Sequence, residues 1–327
     1  GPGNRLRPVD ALLFGATVIP FVRWLSHDFP FDLIHAHFTY PDGVVAGAIG
    51  RMLHVPTIIT EHAPWYPWIQ QERLVRAQTI WAARAARFHL SVSESVRRQV
   101  VETAGLSDTA RVVPNVVDPV VFHPDAAARR VAGQILFVGA IRNCKGVDVL
   151  FEALRQPALA DPKIQLLIAG EPLYEGYRRE VEWLHEQARA LGIAHRVNWL
   201  GGKTPTDIAA LMRQSSAVVL PSRAESFGAV LIEAMACGTP VVATRCGGPE
   251  EIVAPQTGRL VEPEQPAALA DAIADVLANG GRYNPTELHA YAVGRFGPEV
   301  VAKQLSELYA EAVAGPRMSG RAVGIRG

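Results

Sequence analysis

The stretch SRAESFGAVLIEAMACGTPVVAT, residues 222–244, contains the pattern that best indicates how the chain folds. It follows one short apolar run, SAVVLP (216–221), and ends in another, PVVAT (240–244), with an apolar helical pattern between them. Apolar runs without strict alternation are typical of strands buried on both faces of a parallel sheet. Ligands bind beyond the carboxyl ends of such strands. The loop SRAESFG is therefore predicted to line a ligand site.

Two glutamates, Glu225 and Glu233, lie eight positions apart in this stretch. Glu225 is predicted in the loop, while Ser226, Phe227 and Gly228 are predicted to open a helix whose free amides face the same place. Eight residues span about 12 Å along a helix axis, whereas the two carboxyl groups of a glycosidase lie less than about 10 Å apart. The spacing is too wide for a hydrolytic pair. It suits a ligand with hydroxyls at both ends and phosphates between them, a nucleotide sugar, unless the two glutamates merely decorate a helix.

The same alternation of short apolar runs and helical patterns extends along the chain and predicts two Rossmann-like α/β domains facing a cleft. The proline-rich stretch 114–124 is the natural hinge between them. The predicted domains are 1–118 and 119–296, followed by a helix and flexible tail over 297–327. Besides the two runs above, the predicted strands are 31–38, 56–61, 87–92, 134–139, 164–170, 196–201 and 258–261.

Composition excludes several classes of protein. With 49% hydrophobic residues in 327, the chain can form two real cores, and 32 basic residues balance 32 acidic ones, so no global field attracts nucleic acid. The apolar stretch 11–22 has twelve residues and a proline, so we expect that it cannot span a bilayer. Cys144, Cys237 and Cys246 show neither paired nor metal-ligand spacing, which predicts a cytoplasmic protein.

The glycine-bracketed loop GAIRNCKG (139–146) follows a predicted strand and carries Lys145 at the start of the next helix. A lysine together with helix amides can neutralise a diphosphate without metal, although a lone lysine is more often a surface residue. No GxGxxG follows a strand and no Walker A sequence is present. These absences argue against nicotinamide, flavin and P-loop nucleotide chemistry.

Motifs in both halves of the sequence resemble those of the retaining glycosyltransferases of family GT4, and the resemblance covers nearly the whole chain. It implies the GT-B fold of two Rossmann-like domains. The motifs are ESFGAVLIEAMACGTPVVAT (225–244), FVGAIRNCKGVDVL (137–150), VVPNVVDPVVF (112–122), VNWLGG (197–202), AHFTYPDGVVAG (36–47) and TEHA (60–63).

The resemblance also implies roles for individual residues. Glu225 would contact the donor sugar beside the anomeric carbon, and Glu233 would bind the ribose hydroxyls. Lys145 would hold the diphosphate with help from amides around Phe227 and Gly228. His62 would reach the sugar from across the cleft.

Further residues are implied in donor binding, and one departure from the family pattern concerns charge. The family often has arginine directly after the first glycine of the phosphate loop, where this chain has Ala140, so Arg142 or Arg111 is a candidate replacement. The remaining implied donor-binding positions are Ser226, Gly139, Gly170, Val197 and Leu200.

Two groups in the first domain carry weaker hypotheses. His35, His37 and Asp42 cluster in IHAHFTYPDG (34–43), and we expect the His35 and His37 side chains to point to opposite faces of a strand, with no metal site. His37 and Asp42 are instead candidates for the acceptor side. The basic aromatic stretch 65–87 either contacts an anionic membrane surface or is an ordinary solvated helix. It contains Trp65, Tyr66, Trp68, Arg73, Arg76, Arg84 and Arg87.

The sequence therefore predicts a retaining, metal-independent glycosyltransferase. It would move a sugar from a UDP- or GDP-sugar to a hydroxyl acceptor, which is a glycan, a lipid-linked molecule or a small molecule, in glycan or glycolipid biosynthesis. No further cofactor is expected, and the protein would be cytoplasmic or peripheral on the inner membrane face. The alternatives are a nucleotide-sugar epimerase of the same fold and a non-catalytic nucleotide-sugar-binding protein.

The first domain is predicted to be incomplete. Three strands are predicted before the hinge and six after it, and residues 8–25 resemble a helix leading into the strand near Asp32. Family members begin with a strand and a glycine-rich turn, which we do not find here. We therefore expect the first sheet to lack its initial strands, and a second chain is a candidate for supplying them.

Overall fold

The computed structural model describes residues 7–65, 67–106, 108–172 and 178–315. The chain divides into two compact units. The first consists of Gly1–Pro114 together with Ala302–Gly327, and the second is the contiguous segment Asn115–Val301. The break falls inside the proline-rich stretch at 114–124.

The first unit contains a parallel sheet with strand order β1-β2-β3-β4. The three predicted strands are confirmed, whereas the expectation of only three is wrong, because a short fourth strand pairs with β3 at Ala110 opposite His89. β1 is an edge strand of this sheet, and its extension by further strands stays a prediction. The strands are β1 Ile34–His37, β2 Thr57–Glu61, β3 Phe88–Ser91 and β4 Ala110–Val112.

Helices connect these strands, as parallel pairing requires. The core between sheet and helices includes Ile59 of β2, Ala46 and Ala82. Beginning two residues after the end of β1, Thr39–Gly43 form a wide helical turn before the second helix. The helices are α1 Arg7–Asp28, α2 Val44–Leu53, α3 Pro67–Gln71, α4 Arg73–Ala85 and α5 Glu94–Ala104.

The first helix corrects one expectation about length. The apolar stretch 11–22 lies inside α1, which continues through Pro20 to Asp28. Within the part of the chain that the structure describes, Val9–Asp28 is the one segment that is long and apolar enough to cross a membrane, and 11% of it is buried. The conclusion that this stretch is too short to span a bilayer is therefore wrong. Core helices of soluble proteins meet the same criterion, so the finding concerns length and composition only.

The second unit contains a parallel sheet with strand order β10-β9-β8-β5-β6-β7. All six predicted strands are confirmed. Every residue of β8 and β9 is buried, which explains why both read as unbroken apolar runs. The strands are β5 Gln134–Val138, β6 Gln165–Ala169, β7 Val197–Gly201, β8 Ala217–Leu220, β9 Val241–Thr244 and β10 Gly258–Val261.

The helices of the second unit lie between these strands or follow the last of them, and the last helix continues into the first unit. That part of α13 is tied to the first sheet, since Tyr309 Oη lies 2.7 Å from His35 Nδ1 and Gln304 donates to the Val112 carbonyl at 2.8 Å. The helices are α6 Val147–Leu154, α7 Arg178–Ala190, α8 Pro205–Gln214, α9 Ala229–Ala236, α10 Pro249–Ile252, α11 Pro266–Ala278, α12 Pro285–Phe296 and α13 Pro298–Ala314.

The strand order contains a switch point between β5 and β8. From β5 the chain proceeds outward to β6 and β7 on one side, and then returns to β8 on the other side. At such a point the loops after neighbouring strands diverge and leave a crevice in which ligands bind. The loops concerned are residues 139–146 after β5 and residues 221–228 after β8.

Candidate functional site

A close backbone contact brings the two loops of the second unit together. Gly146 has a φ of 66°, and a Cβ there would lie 2.1 Å from the carbonyl oxygen of Pro221. Only glycine fits both the left-handed backbone and this approach. The end of the first loop is thereby fixed against the end of β8.

Lys145 and Glu225 meet across these loops. Lys145 Nζ lies 2.5 Å from Glu225 Oε2, and the side chains are only 20% and 14% exposed. The backbone of Glu225 is also fixed, because its amide donates to the Cys246 carbonyl at 3.2 Å and its carbonyl accepts from the Gly248 amide at 3.0 Å. The structure therefore brings together two residues that are 80 positions apart in the sequence.

The helix that follows Glu225 begins at Ala229, with Gly228 as its left-handed N-cap at a φ of 98°. Among the described residues no side chain caps this end, so first-turn amides remain for a ligand. Ser226 is half-buried in the loop before it. Phe227 is buried and packs edge-to-face on Phe296 at 5.7 Å, so its ring belongs to the core and only its backbone can meet a ligand.

Glu233 lies within α9 and is half-buried. Burial raises the pKa of its carboxyl above the ordinary value, because the charged form loses solvation. Its side chain has no hydrogen-bond partner among the residues that the structure describes. An unpaired, partly buried carboxylate of this kind is suited to accept hydrogen bonds from a ligand.

The other predicted donor-binding residues separate into two sets. Gly139 and Gly170 lie side by side after β5 and β6, since a Cβ on Gly170 would be 1.9 Å from the Gly139 carbonyl oxygen. Arg142 precedes the short turn that carries Lys145, and its charge acts on Glu180. Leu200 lies near the carboxyl end of β7. These four residues occupy the predicted edge of the sheet.

Val197 does not lie at that edge. It is the first residue of β7 and pairs with Leu166 near the start of β6. Because the strands are parallel, their first residues lie at the amino end of the sheet, about 13 Å from the carboxyl end of a five-residue strand. This placement corrects the expectation that Val197 faces a nucleoside.

In the first unit, His37 and His62 form a pair at the carboxyl ends of β1 and β2. His37 Nδ1 lies 2.7 Å from His62 Nε2, and the rings stack at 5.0 Å. Asp42 lies in the wide turn after β1, where burial raises the pKa of its carboxyl while its own backbone and His37 oppose the rise. Here too, residues predicted separately from the sequence lie in one place.

The expectation that His35 and His37 point to opposite faces is wrong. Residues two apart in a strand share a face, and these two imidazole rings stack at 4.7 Å. Among the described residues, no group of three or more histidine, cysteine or carboxylate side chains could hold a metal ion.

Glu61 was not predicted from the sequence, although it directly precedes His62. Its buried carboxylate accepts hydrogen bonds from the amides of His62 and Ala63 at 3.1 and 3.3 Å and from the Trp65 indole at 3.0 Å. It also accepts from the Thr39 amide at 3.0 Å and the Thr39 hydroxyl at 2.7 Å. Glu61 therefore fixes the loop that carries His62. Its position at the end of a predicted strand, within the motif TEHA (60–63), was the available signal.

The basic aromatic stretch is not one continuous surface. Trp65 is 2% exposed and belongs to the core, and Trp68 and Arg87 are half-buried. Tyr66 lies outside the described residues. The exposed part is an arginine face on α4, formed by Arg73, Arg76 and Arg84.

Comparison with known proteins assigns the family. Residues 127–310 match the family model described as Glycosyl transferases group 1, and residues 2–121 match the model described as Glycosyltransferase Family 4. The D-inositol 3-phosphate glycosyltransferase of Corynebacterium urealyticum is 32% identical over 92% of this chain and 76% of that protein. The glycogen synthase of Mycobacterium tuberculosis is 32% identical over 75% of this chain and 60% of that protein.

A solved structure shows the same fold. The crystal structure of Anabaena Alr3699/HepE in complex with UDP-glucose matches with a TM-score of 0.77 and 24% identity, over 90% of this chain and 82% of that one. The two family models together cover nearly all of the chain, and each unit has the parallel sheet expected of a Rossmann-like domain. The chain therefore belongs to the family 4 glycosyltransferases and has the GT-B fold.

Proposed function

We propose that this glycosyltransferase transfers a sugar from a UDP-sugar to a hydroxyl acceptor with retention of the anomeric configuration, in glycan or glycolipid synthesis. The observation that supports it is the arrangement in the second unit. A partly buried lysine–glutamate pair joins the loops at the switch point. Glu233, whose carboxylate has no partner among the described residues, lies on the helix that follows. Lys145 is suited to bind the phosphates of the donor, Glu225 its sugar and Glu233 its ribose.

Lys145 and the first amides of α9 would bind the diphosphate. Lys145 already pairs with Glu225. A bound diphosphate would interact with the Lys145 ammonium in place of Glu225, and the Glu225 carboxylate could then accept hydrogen bonds from the sugar. Glu233 would accept from the ribose hydroxyls. The UDP-glucose held by the Anabaena protein of the same fold supports a uridine nucleotide as the donor.

The chemistry needs no nucleophilic side chain. The bond between the anomeric carbon and the diphosphate oxygen breaks, and the acceptor oxygen forms its bond on the same face. The acceptor proton passes to the departing phosphate oxygen. Lys145 and the α9 amides stabilise the charge that develops on the diphosphate, and no metal is required for this.

His62, His37 and Asp42 of the first unit are proposed to position the sugar and the acceptor. The 2.7 Å contact fixes the direction of the His62 ring, because one imidazole must donate and the other accept. Holding the reacting groups in place is the contribution expected of such residues.

Product analysis tests the proposal. Incubation with a panel of UDP-, GDP- and ADP-sugars and candidate acceptors should give an α-linked product from UDP-sugars, and activity should survive EDTA. A sugar isomer formed without acceptor would indicate an epimerase, and binding without any product would indicate a non-catalytic binding protein. Activity lost in EDTA and restored by manganese would contradict the phosphate site.

Two variants test the division of roles in the donor site. Glu225→Gln should lower turnover about 100-fold with little change in affinity for free UDP, because Glu225 acts on the sugar. Glu233→Ala should weaken free UDP and the UDP-sugar alike. Glu186→Gln, an exposed change on α7, is the matched control. Equal losses of free UDP affinity in the first two variants would contradict the assignment.

A further inference from the structure

Arg223 lies two residues before Glu225 and joins three loops of the second unit. Its amide donates to the Cys144 carbonyl at 2.8 Å, and its guanidinium donates to the Asn143 carbonyl at 2.5 Å. Both of these acceptors are in the short turn that ends in Lys145. The contacts therefore connect the loop of Glu225 directly to the loop of Lys145.

Asp148 holds the same guanidinium from the first turn of α6. The pair is bidentate, with Nη1 to Oδ1 at 2.9 Å and Nη2 to Oδ2 at 2.6 Å. A two-bond pair of this kind fixes direction as well as distance. The hydrogen bonds to Asp148 are the largest cause that raises the Arg223 pKa above its ordinary value.

Glu264 is the third partner and comes from the loop after β10. Its carboxylate contacts Arg223 Nε. The Glu264 backbone has a φ of 58°, a left-handed conformation that a glutamate adopts at a cost in free energy. The fold holds Glu264 in this conformation, and the Glu264 carboxylate thereby contacts Arg223.

We propose that Arg223 is the positioning residue of the donor site, which holds Lys145 and Glu225 at the spacing that a sugar diphosphate requires. It acts through its neighbours, since Asp148 and Glu264 already occupy its guanidinium. The proposal rests on the function proposed above. It adds that diphosphate binding and turnover depend on Arg223, whereas nucleoside binding at Glu233 does not.

The experiment compares Arg223→Lys and Arg223→Met with Arg155→Met. Arg155 is an exposed arginine on the same unit whose partner is Glu152 at 3.5 Å. Turnover, UDP affinity and uridine affinity are measured for each. Both Arg223 variants should lose about 10- to 100-fold in turnover and UDP affinity, with uridine affinity unchanged. Asp148→Asn should reproduce Arg223→Lys, because each breaks the bidentate pair.

Hydrogen exchange gives a readout that does not depend on activity. In both Arg223 variants, amides of 139–146 and 222–228 should exchange faster, while those of β6 and β7 keep their rates. If Arg223→Met does not fold, Arg223→Lys retains the charge and carries the test. Unchanged exchange in these loops would overturn the proposal, as would equal losses of UDP and uridine affinity or unchanged turnover.

The same design separates the two proposals. If the parent protein neither binds UDP nor uses UDP-sugars, the proposed function is wrong. Exchange in the two loops then still decides whether Arg223 holds them.

Discussion

Glu61 in the first unit and Glu233 in the second are both withdrawn from water, yet their surroundings differ. Glu61 accepts five hydrogen bonds from Thr39, His62, Ala63 and Trp65, whereas the described residues supply none to the Glu233 side chain. Burial raises both pKa values, but donors oppose the rise only at Glu61. A carboxylate with all its partners serves the fold, and one without them is available to a ligand.

The largest expected effect is that of Glu61→Gln on stability. The amide group would face donors that now point at a carboxylate, and each buried donor left without an acceptor costs about 1–3 kcal/mol. We expect a loss of about 3 kcal/mol or more in the free energy of unfolding, measured by urea titration. Glu102→Gln, an exposed change on α5, should stay within about 0.5 kcal/mol. A loss as small as that in Glu61→Gln would contradict the structural role.

The second effect is a loss of stability at low pH that comes from His89, which contacts Thr39 as Glu61 does. His89 is fully buried with Nε2 2.8 Å from Thr39 Oγ1, and burial lowers its pKa from 6.5 to about 4. Between pH 6.5 and about 4, the unfolded chain is therefore protonated at His89 while the folded chain is not. This difference lowers the free energy of unfolding as the pH falls through that range. The loss amounts to about 3 kcal/mol by pH 4.

His89→Gln tests this linkage by its slope. Urea midpoints measured between pH 7 and pH 4 should fall less steeply in the variant than in the parent, while exposed His27→Gln should follow the parent. His35, whose pKa burial also lowers to about 4, remains in every variant and leaves a residual slope. Parallel curves for His89→Gln and the parent would contradict a lowered His89 pKa in the folded protein.

The third effect has the opposite sign to the first. Glu233→Gln should raise the free energy of unfolding by about 1 kcal/mol at pH 7 and lower the affinity for UDP about tenfold. The cost of an ionised Glu233 begins above the ordinary carboxyl pKa of 4.5 and is complete above its raised folded value. The gain should thus vanish below pH 4.5. A loss of stability at pH 7 would show that the protein itself uses this carboxylate.

The smallest effect concerns the exposed arginines of α4. If this face contacts anionic membranes, each single change of Arg73, Arg76 or Arg84 to glutamine should lower vesicle binding about fivefold, or roughly 1 kcal/mol. Arg189→Gln on α7, also exposed, is the control. Binding is measured with phosphatidylserine vesicles at low salt. If the parent protein does not bind such vesicles, α4 is an ordinary solvated helix and the membrane hypothesis is wrong.

The centre of the second sheet could be predicted because β8 and β9 are buried along their whole length and read as unbroken apolar runs. β4 could not, since it has three residues, and its central Arg111 is exposed. The aromatic pattern at Trp65 was misleading, because its indole enters the core to reach Glu61. Arg223 lies inside the most informative stretch, but its partner Asp148 is 75 positions away. The pair can be recognised only in the folded structure, where the loop after β8 contacts the loop after β5.

The course of α13 has a consequence for the order of folding. The second unit is one contiguous segment, whereas the first needs residues from both ends of the chain. The contact between His35 and Tyr309 joins positions 274 apart, and contacts of such long sequence separation form slowly. During synthesis the second unit is complete before the helix that finishes the first has emerged. Circular permutants that place α13 ahead of β1 should therefore fold faster than the natural order.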